Sequence, residues 1–81
     1  MSLSPAKELE EVASRHAAEA IRLDSQGSRG MAVQTYQKSI SSLIQLAKLY
    51  PDYKLNKIYL DRAGQYKERI QALQQLGGFP E

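Results

Sequence analysis

From Leu9 to Leu23 the apolar residues Leu9, Val12, Ala13, Ala20 and Leu23, with His16 among them, recur at three- and four-residue steps, the spacing of one face of an α-helix. Ser4-Pro5 just ahead of this run pairs a good N-cap with a proline at the first helical position, and Glu8 adds first-turn negative charge. The pattern predicts helix one over residues 4–23. Residues 25–30, SQGSRG, then break the helix with two glycines and offer Ser28 as the next N-cap. From Arg29 to Tyr50 the positions Ala32, Val33, Tyr36, Ile40, Leu43, Ile44 and Ala47 form a stripe wide enough for a helix packed on two partners. Pro51 ends this second helix, since it lacks an amide donor and disfavours helical geometry at Tyr50. Asp52 is placed to cap a third helix over residues 53–76, which the glycine pair of QLGGFPE closes.

No stretch alternates with a strand period. Three helices joined by short turns predict an all-α, up-down-up antiparallel bundle over residues 1–76, with helices one and three nearly parallel. Ala20, Tyr36, Ile40, Ala63, Tyr66 and Ile70 are the expected core. Residues 77–81 read as the start of a linker to a further domain.

The third helix carries more apolar surface than one buried face needs. Leu55, Tyr59, Ala63, Tyr66, Ile70 and Leu73 make its stripe, while Ile58 lies at one margin and Leu60 at the other. On helix one, Ala17 and Ile21 widen the face beside Ala13 in the same way. Two explanations stand at this point: neighbouring helices cover the shoulders, or the shoulders border grooves for a ligand. Lys54, Arg62, Lys67 and Arg69 would be rim charges of such grooves.

Composition narrows the functional classes. Eighty-one residues with 42% hydrophobic content make one small domain, and the lack of cysteine removes disulfides and thiolate chemistry. There is no run of about 18 apolar residues and no signal-type N-terminus, so the expectation is a soluble, cytoplasmic chain without membrane insertion. Eleven basic against nine acidic residues leave +2, too small and too dispersed a charge for nucleic acid. His16 is the only histidine, so no metal set is available, and it falls inside the helix-one stripe, where a phosphoryl group would enter the core. A packed, hydrogen-bonded His16 is expected instead. Asp24 and Asp61 have no acidic partner at a useful helical spacing, and neither a P-loop nor a GxGxxG pattern occurs. The expectation is a binding domain with no catalytic residue, cofactor or metal.

Two segments carry a family resemblance. GMAVQTYQKSI, residues 30–40, resembles the alanine-then-tyrosine segment in the second helix of microtubule-interacting and trafficking (MIT) domains. YLDRAGQYKERI, residues 59–70, resembles the third helix of the MIT domain of AAA ATPases that disassemble ESCRT-III polymers, and Asp24 before a glycine-containing turn fits the same pattern. The resemblance implies a bundle joined by a linker to an ATPase and recruiting it, at membrane-associated assemblies, to short motifs in ESCRT-III tails. It implies two ligand modes: a helical motif between helices two and three, and a proline-rich extended strand between helices one and three. The short YPDYK connection is similar to that of archaeal division-type ATPases. Gly64 stands where readers of the helical motif carry an acidic residue, which argues against that mode here.

The expected principal site is therefore the groove between helices one and three: Ala13, Ala17 and Ile21 on one wall, Leu55, Ile58 and Arg62 on the other, with Arg69 at the rim. Asn56, Leu60, Gly64 and Lys67 make up the secondary groove between helices two and three that the resemblance implies. The expected partner is an ESCRT-III-like tail peptide, and the isolated domain is expected to be a monomer. The competing readings are a self-associating helical domain and an MIT domain that binds a helical motif.

Overall fold

In the computed structural model, residues 4–77 are described and form three helices, α1 (Pro5–Ser25), α2 (Arg29–Leu49) and α3 (Asn56–Gly77). The Ser4 hydroxyl accepts from the Lys7 amide at 3.2 Å, closing the α1 N-terminus as the Ser-Pro signal predicts. At the other end the chain reverses through Gly27, whose φ of 81° lies in the left-handed region that a side chain disfavours. The Gly27 amide donates to the Asp24 carbonyl at 3.0 Å and the Ser28 amide to the Leu23 carbonyl at 2.9 Å, so the last carbonyls of α1 are satisfied. Ser28 occupies the N-cap position of α2 but its side chain makes no capping hydrogen bond.

The helices form the up-down-up bundle. Glu10, near the start of α1, meets Tyr59 near the start of α3, and Asp24 at the end of α1 meets Arg69, so α1 and α3 run in the same sense. The core has two parts. Ala20, Leu23, Ala32, Tyr36, Ile70 and Leu73 fill one end, and Ala13, Leu43, Leu46, Tyr59 and Ala63 fill the other. Ile40 and Tyr66 pack against both. The Tyr36 and Tyr66 rings lie 5.4 Å apart with a 35° tilt, an aromatic contact between α2 and α3.

Contact between helices is unequal. α1 packs on α2 and α2 on α3, whereas no Cα of α1 comes within 8 Å of one of α3. The bundle measures 26 by 16 Å across its long axis, broad and shallow because α2 sits between the outer two helices. Ser39 and Ser42 are buried on α2, and the Ser39 hydroxyl donates to the Ala13 carbonyl at 2.8 Å. Small residues here bring α1 close to α2.

The structure corrects several sequence-based expectations. α3 begins at Asn56, three residues later than expected, and Asp52 lies exposed in the turn too far ahead to cap it. Residues 51–55 form turns in which the Tyr53 amide donates to the Tyr50 carbonyl at 2.9 Å and the Asn56 amide to the Tyr53 carbonyl at 3.0 Å. The Asn56 side-chain amide donates to the Ala47 and Tyr50 carbonyls at 3.0 and 2.5 Å, taking up acceptors that α2 leaves open. The buried face of α1 is centred on Ala13, Ala17, Ala20 and Leu23, with Leu9, Val12 and His16 only half-buried. His16 has no side-chain hydrogen bond among the described residues. On α2, Ile44 is exposed and Leu46 takes its place inside. α3 continues through Gly77, and the remaining linker positions, 78–81, lie outside the described residues.

Candidate functional site

Because the backbones of α1 and α3 stay more than 8 Å apart between their side-chain contacts, a groove of about 480 Å³ runs between them over α2. Ala13, Ser14, Ala17, Ala18 and Ile21 form the α1 wall. Tyr59, Arg62 and Tyr66 form the α3 wall, and Ser39, Leu43 and Leu46 of α2 make the floor. Alanines on one wall and a serine in the floor keep the groove wide. The floor serine presents no unsatisfied hydroxyl proton, since its hydrogen goes to the Ala13 carbonyl.

A polar contact spans each end. At one end Arg69 donates to Asp24 through Nε (2.7 Å) and Nη2 (2.8 Å), and the Tyr36 hydroxyl donates to the same carboxylate at 2.9 Å. The Arg69 hydrogen bonds outweigh partial desolvation and, helped by the Tyr36 hydroxyl, hold Asp24 below the usual carboxylate range. Burial and the hydrogen bond to Asp24 push the Tyr36 phenol up to about 12. At the other end the Tyr59 hydroxyl donates to Glu10 Oε2 at 2.5 Å. That hydrogen bond, followed by burial, raises Tyr59 to about 12 as well. Glu10 also has Lys7 Nζ at 3.9 Å. Arg62 is exposed on the wall between these ends and has no ion pair among the described residues.

Of the seven residues expected at this groove, Ala13, Ala17, Ile21 and Arg62 line it. Arg69 bounds it, engaged by Asp24 rather than left free at the rim. Leu55 precedes the first residue of α3 and Ile58 is 48% exposed, and neither lines the groove. Glu10, Tyr59 and Tyr66 were not anticipated, nor was the floor from α2. Helical spacing places Tyr59 and Tyr66 in the core stripe, but a tyrosine at the edge of a stripe buries its ring while its hydroxyl reaches the boundary. The 49-residue separation of Glu10 and Tyr59 gives no local pattern from which their contact could be read.

The secondary set is not assembled in the same way. Asn56 is buried and committed to the end of α2. Leu60 is 50% exposed, and Gly64 and Lys67 are exposed further along α3. A side chain added at Gly64 would meet nothing within 4 Å, so packing does not require the glycine. Among the described residues no group of three or more His, Cys, Asp or Glu side chains could hold a metal ion, and no helix is long and apolar enough to cross a membrane. No protein-family model matches the chain, and no curated protein sequence matches it.

Proposed function

We propose that this domain is a non-catalytic adaptor that binds an extended, proline-containing segment of an ESCRT-III-like tail in the groove between α1 and α3, and that it recruits an AAA ATPase to such tails. The observation that carries this reading is the backbone separation of α1 and α3, which leaves a groove with a floor from α2 and a wall from each outer helix beside the shared core. Small wall residues such as Ala13 and Ala17 let an extended backbone approach α1 closely. Proline holds such a segment extended before binding, so less conformational entropy is lost on docking. Arg62, which has no ion pair among the described residues, suits an acidic residue or carbonyl of the ligand. The groove between α2 and α3 is the weaker candidate because Asn56, one of its expected contacts, is buried.

The test is calorimetric titration with a proline-containing peptide from an ESCRT-III-like tail. Binding is expected at about 1 to 100 μM, or roughly 5.5 to 8 kcal/mol. Ile21→Asp places a charge at an exposed wall position and should weaken binding at least tenfold while circular dichroism stays unchanged. Ala18→Asp, at another exposed position of the same wall, should do the same. Ile58→Asp, off the groove, should have little effect. Equal affinity for all three variants would exclude the groove, and a concentration-dependent dimer mass would favour self-association.

A further inference from the structure

The groove does not stop at the Tyr59–Glu10 contact. Beyond it lies a second cleft of about 300 Å³, whose lining includes Glu10, Leu46 and Tyr59 from the main groove and adds Ser4, Ala6, Tyr50 and Tyr53. The cleft thus adjoins the first across that contact and is framed by three tyrosines. Tyr50 is 55% exposed and Tyr53 is 45% exposed. Neither hydroxyl has a hydrogen-bond partner among the described residues. The backbone that carries the two rings is nonetheless fixed: the Tyr53 amide closes a turn on the Tyr50 carbonyl, and the Asn56 side chain holds that same carbonyl against the end of α2. Two exposed aromatic rings on a pinned turn, beside an apolar channel, have the form of a pre-organised docking surface rather than of a loose loop.

We infer that Tyr50 and Tyr53 form a second subsite for the same extended segment, taking a proline or other apolar residue of the ligand beyond the Tyr59–Glu10 contact. This rests on the reading of the α1–α3 groove as a peptide site. Aromatic-lined clefts suit proline because the flat face of a tyrosine packs on the pyrrolidine ring of a chain that is already extended. Length supports the assignment. α1 rises about 16 Å from Glu10 to Ile21 and about 26 Å from Ser4 to Ile21, at about 1.5 Å per residue. At about 3.1 Å per residue of extended ligand, the main groove holds about five residues and the two subsites together about eight.

The experiment uses three capped synthetic peptides: a five-residue core alternating leucine and proline, and two eight-residue versions extended by Pro-Pro-Leu at one end or the other. One extended peptide should bind about tenfold tighter than the core. In Tyr50→Ala/Tyr53→Ala that gain should vanish, while the five-residue core binds as it does to the wild type. Both tyrosines are exposed, so the variant should keep the fold, and circular dichroism checks this. Ile21→Asp should weaken all three peptides. If neither extension tightens binding, or if the gain survives in the double variant, the second subsite is excluded and the groove reading stands. If no peptide binds the wild type even at millimolar concentration, the groove reading falls, and the subsite with it.

Discussion

The contacts at the two ends of the α1–α3 groove do the same geometric job with different chemistry. At the Asp24 end, one carboxylate accepts from Arg69 twice and from Tyr36 once, and its side chain is only 13% exposed. Removing it would leave a cation and a part-buried hydroxyl without partners. At the Glu10 end, a single phenol donates to a carboxylate that is far more open to water, with Lys7 nearby. Losing that bond would leave Glu10 solvated. The first contact ties together all three helices, since Asp24, Tyr36 and Arg69 come one from each. The second ties only α1 to α3. The first is therefore the fixed end of the channel, and the second is the end at which the outer helices can yield to a ligand.

That contrast fails if the core does not hold the helices together independently of both contacts. Ile40 packs against both core clusters, although it is only half-buried. Ile40→Ala should destabilise the domain by about 2 to 3 kcal/mol in urea unfolding. A loss under about 0.5 kcal/mol would mean that the polar contacts carry the assembly and that the stripe of α2 has been misassigned.

The Asp24 end should show the next largest effect. Asp24→Asn keeps the size of the side chain but removes the charge that Arg69 and Tyr36 address, and about 2 kcal/mol should be lost at neutral pH. The sign of the pH dependence follows from the depressed carboxyl. A group held below its ordinary value contributes stability that is present above the unfolded-state value of 3.8 and is lost as pH falls through the lower folded value. The difference between wild type and Asp24→Asn should thus be constant above about pH 5 and shrink on acidification below the unfolded value. The other carboxylates titrate in both proteins and cancel from that difference. A gap that stays constant down to pH 2 would show that the ionised carboxylate does not anchor this end.

The number of helices, their order and most of their limits could be read from local signals: Ser4-Pro5 at one start, Gly27 at one reversal, Pro51 at one stop. The core residues Ala20, Tyr36, Ala63 and Ile70 followed from helical spacing. The depth of the groove did not. It depends on Ser39, which a hydropathy pattern counts as outward-facing but which is buried in the floor with its hydroxyl on an α1 carbonyl. Periodicity identified the surplus apolar width of α1 and α3 but could not say which part faced the channel. Ile21 and Arg62 face it, whereas Ile58 and Leu60 are exposed elsewhere on α3. Asn56 illustrates the same limit at a boundary. Its role depends on carbonyls six and nine residues back, in a turn whose shape no helical template describes.

The smallest expected effect probes the Glu10 end directly. Tyr59→Phe keeps the ring in its core cluster beside Leu43, Leu46 and Ala63 and removes only the hydroxyl that reaches Glu10. Because Glu10 then meets water, the loss should be about 0.5 to 1 kcal/mol, clearly below that of Asp24→Asn. Alkaline pH should reproduce the loss in the wild type. The Tyr59 phenol is raised to about 12, so its contribution is fully present below the unfolded-state value near 10 and disappears as pH rises through about 12. The gap between wild type and Tyr59→Phe should accordingly be steady from pH 6 to 9 and close at higher pH. Tyr36, also raised to about 12, is present in both proteins and does not enter the difference. Urea unfolding of the pair at neutral pH and near pH 11 measures this. A loss for Tyr59→Phe equal to or larger than that for Asp24→Asn would make the Glu10 contact the anchored end and reverse the assignment of which end of the channel yields.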